Sequence, residues 1–186
     1  MPRGTYLHGS DVEERFSCAL DGGGWRYTAE RSDGGTIELV ADGRWRPARL
    51  QVTSGEHVLR GGAAGAELLW VTAGRERSAQ AAGFLGDSPG LLVAVARFLG
   101  LAERERVDVR LLELTAPALA VRTVPQRWAL AETAWHEADD ARLRVERYEV
   151  TDLETGEVSE FHLAGDVVVA APGIELTALE DPPNFP

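Results

Sequence analysis

Tight-turn signals divide this chain into short segments of strand length, and their spacing constrains the fold more than any other sequence feature. Asp-Gly and Gly-Gly pairs supply the positive φ angles that tight hairpins require. In the first half of the chain, such turns at 21–24 and 42–44 separate segments rich in strand-forming residues. A Gly-rich stretch at 61–65 predicts a further reversal. The expected strands form an antiparallel meander and are 15–20, 25–31, 36–41, 45–53, 57–60 and 67–72.

A helix is predicted between two strand-rich halves. Asp87, Ser88 and Pro89 form a helix-start signal, because a side-chain oxygen can cap free backbone N–H groups and proline fits the first turn. Residues 90–99 are apolar apart from Arg97, and a glycine follows at the position of a left-handed C-cap. Since a helix that is apolar on every side must be covered, we expect it to lie across a concave sheet or to plug one end of a barrel.

The second half of the chain returns to strands, expected at 107–115, 119–128, 143–151, 157–163, 166–171 and 174–179. The apolar positions change parity within 107–115 and within 143–151, which predicts a β-bulge in each strand and a bent sheet. The predicted fold class is mostly β (α+β), a curved antiparallel sheet forming a β-roll or open half-barrel with one short apolar helix. Residues 1–180 are expected to form a single β-roll domain, followed by a Pro-rich tail at 181–186.

Charge and residue usage argue against several classes of function. The formal net charge is −11, so the protein repels phosphate backbones and nucleic acid is not an expected partner. Apart from histidine, every basic side chain is Arg, which excludes lysine Schiff-base chemistry and a P-loop lysine. Cys18 is the only cysteine, which fits the reducing cytoplasm, the expected location. We see no export signal in residues 1–16 and no apolar run long enough for a transmembrane segment.

No complete catalytic or metal-binding motif is visible. The histidines lack the paired spacing of a metal site, so neither a metal nor a cofactor is expected; they are His8, His57, His136 and His162. The acidic stretch 133–141 around His136 is interpreted as a solvated hairpin loop. Residues 83–90 lack the glycine patterns of nucleotide-binding loops. Ser88 lies outside a GxSxG motif, and Cys18 has no neighbouring histidine in sequence, so no nucleophile is apparent.

Aromatic and arginine side chains are spread over most of the predicted strands. Large aromatic rings suit apolar cores and ligand grooves alike, so core packing and ligand contact are alternatives for each. An inward arginine needs a partner, either a carboxylate across the sheet or a polar group of a ligand. The candidate ligand-binding residues are Trp25, Tyr27, Trp70, Trp128 and Tyr148 for apolar contact, with Arg122 and Arg127 for a polar head group.

The order of these features resembles the bacterial family described as glycolipid-binding, whose known folds are spiral β-rolls similar to lipoprotein-carrier half-barrels. The resemblance covers most of the chain. It rests on Gly24-Trp25-Arg26, Glu105-Arg106-Val107-Asp108-Val109, residues 121–128, Arg147-Tyr148-Glu149, and the closing strand, proline turn and final strand in residues 166–174. The chain departs from the family pattern at Trp128, where tyrosine is common, and in its more acidic stretch 133–141, and both departures bear on head-group preference.

The resemblance implies a curved sheet whose apolar concavity holds a lipid-like or other amphiphilic molecule. Our leading hypothesis is non-catalytic binding of such a small molecule between the curled sheet and the helix. One alternative is an enzyme, such as an isomerase, cyclase or hydrolase, that uses dispersed carboxylates and His162 as acid–base groups in the same cavity. Another is a protein-interaction module with an exposed strand edge or helix face. The oligomeric state stays open.

Overall fold

A computed structural model describes residues 1–9, 11–138 and 141–185. In these ranges the chain forms one sheet and one α-helix, α1, at Pro89–Leu99. The strands of the first half are β1 Arg3–His8, β2 Val12–Asp21, β3 Gly24–Arg31, β4 Thr36–Ala41, β5 Pro47–Ser54, β6 His57–Ala64, β7 Glu67–Thr72 and β8 Arg75–Ala79. The later strands are β9 Phe84–Leu85, β10 Arg106–Thr115, β11 Ala120–Ala138, β12 Ala141–Asp152, β13 Val158–Ala164, β14 Val167–Ala171 and β15 Ile174–Leu179.

The sheet order is β8-β7-β6-β5-β4-β3-β2-β1-β15-β14-β13-β12-β11-β10-β9, so two meanders meet where the first strand pairs with the last. The ladders are antiparallel, except that β9 runs parallel to β10. The outer strands β8 and β9 do not pair with each other, and the curved sheet stays open. The predicted fold class is therefore confirmed: a mostly β chain, with one short apolar helix and a curved, unclosed, largely antiparallel sheet.

The predicted bulges differ from the observed irregularities. The β10–β11 register runs without interruption, so the bulge predicted in 107–115 is wrong. Leu111 and Leu112 are instead both fully buried on opposite faces of β10, which produces the parity change. In the β11–β12 ladder an extra residue, Ala131, lies on β11 rather than on β12. Apolar parity changes in β12 because the buried Glu146 takes an inward position, where Arg97 Nη1 of α1 binds its Oε2 at 2.6 Å.

The helix begins and ends where the sequence predicts. Gly100 adopts the left-handed C-cap conformation, with φ 55° and ψ 38°. Ser88 stands at the N-cap, but its side chain does not cap the helix; its Oγ donates to Glu14 Oε1 at 2.6 Å. Gly90 packs so closely on the Tyr27 ring that an added Cβ would lie 2.4 Å from Tyr27 Cδ1. The helix is thus docked on the inner face of β3 at a glycine.

Two local predictions need correction. The Gly-rich stretch 61–65 is not all turn, because β6 continues through Ala64 and the chain reverses at Gly65. The stretch predicted as a loop at 133–141 is strand on both sides, up to Ala138 and from Ala141; residues 139–140 lie outside the described residues. The Pro-rich stretch forms no strand in residues 181–185, and Asn184 anchors it by donating from its backbone N and Nδ2 to the buried Asp166 carboxylate at 2.8 Å each.

Candidate functional site

A groove of about 530 Å³ opens where the β1–β15 seam, strands β11 to β13 and the start of α1 face one another. One group of lining residues is apolar and includes Leu85, Leu92, Trp128, Val150, Phe161, Ala171, Pro172 and Ile174. A second group is polar and consists of His8, Arg31, Asp87, Glu113, Gln126, Ser159 and Glu160. A cavity with this mixed lining can hold a molecule that has an apolar and a polar part.

Strand alternation explains why the apolar surface forms. Gln126 and Trp128 are two residues apart on β11 and therefore share a face. Trp128 Nε1 donates to Gln126 Oε1 at 3.0 Å, so the indole N–H is satisfied within the wall. The Trp128 ring meets Phe161 edge-on, with ring centroids 5.4 Å apart, and Tyr148 stacks on Phe161 at 5.0 Å. Trp128 and Phe161 line the groove although they are largely buried, Tyr148 supports them from behind, and the half-buried Leu92 and Ile174 present more surface to the groove.

A buried carboxylate lies beside the groove. Glu14 on β2 is fully buried, and its Oε1 accepts hydrogen bonds from Tyr27 Oη and Ser88 Oγ, each at 2.6 Å. Its Oε2 lies 2.9 Å from His8 Nε2. Both atoms are buried, and neither makes a hydrogen bond of acceptable geometry in the described chain, so this close approach leaves them incompletely satisfied. The His8 side chain lines the groove and is 11% exposed.

The surroundings of Glu14 hold its tyrosine donor in the protonated form. Burial raises the pKa of Tyr27 well above its ordinary value, and the neighbouring Glu14 carboxylate raises this pKa further. Because the phenol keeps its proton, it acts as a hydrogen-bond donor to the carboxylate. The cluster is therefore a fixed set of donors around one buried carboxylate, with His8 on the side that faces the groove.

Arg31 lies between the groove and a smaller, mainly apolar cavity of about 70 Å³. Its Nη2 binds Asp33 Oδ2 at 3.0 Å, and its Nη1 lies 3.9 Å from Asp87 Oδ2. Both cavities are bordered by Arg31, Gly86 and Asp87. The apolar part of the smaller cavity is formed by Ile37, Val52, Leu91, Leu114 and Leu119. Arg31 is thus a positive group at the junction of two cavities.

Of the aromatic residues predicted to contact a ligand, the structure places Trp128 in the groove wall. Trp25, Tyr27, Trp70 and Tyr148 are buried in the core and do not line the groove. Trp25 Nε1 donates to the buried Asp166 Oδ2 at 3.0 Å, which is a structural contact. Tyr27 and Tyr148 act indirectly, the first by binding Glu14 and the second by stacking behind Phe161.

The two predicted head-group arginines lie on different faces of β11. Arg122 shares the face of Trp128 and binds Glu113 Oε2 through Nη2 at 2.8 Å; Glu113 in turn lines the groove. Arg122 is therefore near the rim of the groove, with its side chain 58% exposed. Arg127 lies on the opposite face and binds Asp108 through Nε and Nη2 at 2.6 and 2.8 Å. The structure does not bring Arg127 together with the groove.

His8 and Glu14 are among the polar residues of this site that the sequence analysis missed. One signal could have found Glu14: it has the same parity as Phe16 and Cys18 on β2, so alternation places a carboxylate on the apolar face. His162, the histidine chosen from the sequence, lies opposite Arg147 on β12, on the other face from Phe161. Within the described ranges no group of three His, Cys, Asp or Glu side chains is arranged to hold a metal ion.

A solved structure shares this fold. A DUF1089 family protein from Pseudomonas aeruginosa, known from a crystal structure, is similar to the chain with a TM-score of 0.58 at 19% sequence identity. The likeness covers 86% of this chain and 89% of that one. No family model and no curated protein matches the chain. In the part of the chain described here, no helix is long and apolar enough to cross a bilayer.

Proposed function

We propose that the protein binds an apolar or amphiphilic small molecule, of lipid or glycolipid type, in the groove between α1 and the curved sheet. The observation that carries this proposal is the groove itself, about 530 Å³ in volume, with apolar and polar lining residues in one cavity. Cavities of roughly 300–1,000 Å³ are typical of small-molecule sites in proteins. The resemblance to glycolipid-binding β-rolls points to the same class of ligand.

Apolar side chains of the groove offer a surface for the apolar part of the ligand. Leu92 of α1 and Ile174 of β15 are half-buried in the groove, and the rings of Trp128 and Phe161 line it with them. Covering such surface by an alkyl chain yields about 0.8 kcal/mol for each buried CH₂ group. An alkyl chain of about twelve carbons gains roughly 10 kcal/mol in this way; after an association cost of at least about 4 kcal/mol, we expect a Kd on the order of tens of micromolar or weaker.

The polar part of the ligand has hydrogen-bonding partners at the same site. Gln126, Ser159 and the carboxylates of Glu113 and Glu160 line the groove and suit hydroxyl or amide groups. Carboxylates accept hydrogen bonds from sugar hydroxyls but repel anionic head groups. The lining therefore favours a neutral, hydroxyl-bearing head group over a phosphate or a carboxylate.

Calorimetric titration with dodecyl maltoside below its micelle concentration tests this proposal. We expect saturable binding to the wild-type chain and at least a tenfold loss of affinity in Leu92→Asp, because the substitution places a charge against the alkyl chain. Leu153→Asp is the matched control, since Leu153 is exposed and does not line the groove. Equal affinity in both variants, or no binding by the wild type to any alkyl glycoside, would contradict the proposal.

A further inference from the structure

We propose that His8 and Glu14 form an acid–base pair that removes a proton from a molecule bound in the groove. In this reading His8 is the catalytic residue and Glu14 is the positioning residue. The inference rests on the proposed function, because the substrate is the ligand of the groove. It adds an activity to what is otherwise a binding site.

The contacts around Glu14 favour one tautomer of His8. Oε1 already accepts from the Tyr27 and Ser88 hydroxyls, and Oε2 is 2.9 Å from His8 Nε2. In the proposed tautomer of neutral His8 the proton is on Nε2, the nitrogen that approaches Oε2, although the two atoms are not aligned for a hydrogen bond in this structure. The nitrogen left for a ligand is Nδ1, which then holds a free electron pair. A carboxylate that orients an imidazole in this way is a recurring arrangement around catalytic histidines.

The position of His8 suits proton transfer from an apolar molecule. Its Nε2 is buried, yet part of the ring remains accessible from the groove. The same groove is lined by Leu92, Trp128 and Phe161, which limit the water around a bound substrate. When His8 accepts a proton, the resulting imidazolium forms an ion pair with the buried Glu14, where the attraction is stronger than in water. Glu14 thus stabilises the product of the transfer.

Arg31 supplies the complementary charge. It lines the groove with His8; its Nη2 is bound to Asp33 at 3.0 Å, whereas its Nη1 lies 3.9 Å from Asp87 and is the nitrogen left to face a substrate. A positive group near the substrate stabilises the negative charge that develops as the proton leaves. The pair of groups suits a hydrophobic carbonyl compound with an acidic C–H bond, whose electron pair moves to the carbonyl oxygen.

The proposed step balances without a co-reactant. The C–H bond breaks, the proton moves to His8 Nδ1, and the electron pair of the bond becomes part of an enolate. Return of the same proton from Nδ1 to a different carbon of the substrate restores neutral His8 and releases an isomer. The class of reaction is therefore proton-transfer isomerisation of an apolar carbonyl compound.

Elimination of 5-nitrobenzisoxazole tests for this base, because the reaction needs only proton abstraction from carbon and yields a coloured cyanophenolate as the N–O bond breaks. We expect His8→Ala to lower the rate by roughly 10²-fold, the usual contribution of a general base. Added imidazole should restore much of the loss, which a purely structural role would not allow. His57→Ala is the control, since His57 is exposed on β6 and lies outside the groove.

Glu14→Gln tests the positioning role. The amide keeps the volume of the carboxylate but presents a donor or a weaker acceptor to Nε2, so we expect kcat to fall with KM unchanged. If this variant does not fold, as judged by circular dichroism, imidazole rescue of His8→Ala decides the question. A rate that is the same in wild type and His8→Ala would overturn the acid–base proposal. If dodecyl maltoside still binds to the wild type in that case, the proposed binding function stands. If dodecyl maltoside does not bind either, both the acid–base proposal and the proposed binding function are contradicted.

Discussion

At the scale of residues, Glu14 is the most completely buried carboxylate in the described part of the chain. A fully buried carboxylate is costly unless its oxygens are paired; here two hydroxyls donate to Oε1, while the His8 imidazole only approaches Oε2, at 2.9 Å. These partners come from β3, the start of α1 and β1, so the cluster joins three elements at one point. It therefore fixes the helix start and the histidine beside the groove together.

Tyr27→Phe should destabilise the chain through this cluster. The variant removes one of the two hydroxyl donors to Glu14 Oε1, and hydrogen bonds to charged groups contribute about 1.5–3 kcal/mol. We expect a loss of that size in the free energy of unfolding, measured by urea titration.

The matched comparison is Ser17→Ala, which removes a neutral hydroxyl pair with Thr28 between the same two strands, β2 and β3. That change should cost about 0.5–1.5 kcal/mol. A loss for Tyr27→Phe no larger than for Ser17→Ala would show that Glu14 does not depend on the phenol.

The sequence predicted part of the site. Trp128 was a candidate because aromatic residues favour grooves, and it does border the groove. His8 could not be found by the same reasoning, because local pattern does not reveal that β1 lies between β2 and β15. Arg127 illustrates the converse limit: it neighbours Trp128 in sequence, but alternation along β11 directs the two side chains to opposite faces.

At the scale of elements, α1 is defined by local signals and placed by one glycine. The apolar run, the proline start and Gly100 predicted its bounds, but not that Gly90 would pack on the ring of Tyr27. The tail shows the same contrast: its prolines predicted that no strand would form, whereas its anchor on Asp166 depends on a residue far away in sequence.

Gly90→Ala should therefore destabilise the docking of α1. The new Cβ would lie 2.4 Å from Tyr27 Cδ1 in a buried position, and relieving such an overlap costs about 1–3 kcal/mol. We expect a clear fall in the thermal midpoint of unfolding.

Gly86→Ala is the control for this prediction. Its Cβ would lie 3.2 Å from the end of the Leu91 side chain, which can shift. The fall in the midpoint should therefore be smaller. An alanine at position 90 that stabilises the chain, as helix propensity alone predicts, would contradict the packing described here.

At the scale of the whole molecule, the sheet order decides where the groove forms. Hairpin signals predicted the two meanders, because neighbouring strands in sequence usually pair. The pairing of β1 with β15 joins the chain's two ends and has no local signal, since no turn connects these strands. That seam carries His8 on one side and the turn before Ile174 on the other, and both line the groove.

Burial of the tyrosines predicts a response of the whole fold to alkaline pH. Desolvation raises the pKa of Tyr6 and of Tyr27 well above the ordinary value, and raises that of Tyr148 to about 12. These are the chain's three tyrosines. In the unfolded chain they ionise near pH 10, so above about pH 10 the unfolded state loses protons that the folded state retains. The free energy of unfolding is therefore undiminished by tyrosine ionisation below about pH 10, and it falls as the pH rises further.

Absorbance at 295 nm measures this ionisation directly. We expect little tyrosinate signal at pH 10 in the folded protein, followed by a cooperative rise that coincides with the loss of the β-sheet signal in circular dichroism. Ionisation of even one tyrosine near pH 10 with the sheet intact would show that its ring is not buried as described.

Native mass spectrometry of the protein purified from its own host tests the central claim, that the groove holds an apolar or amphiphilic molecule. We predict that the wild-type chain and Leu153→Asp carry an additional small-molecule mass, which gentle ionisation preserves and denaturation releases, and that Leu92→Asp carries none. A wild-type protein that shows the mass of its chain alone, both as purified and after incubation with dodecyl maltoside, would contradict the claim.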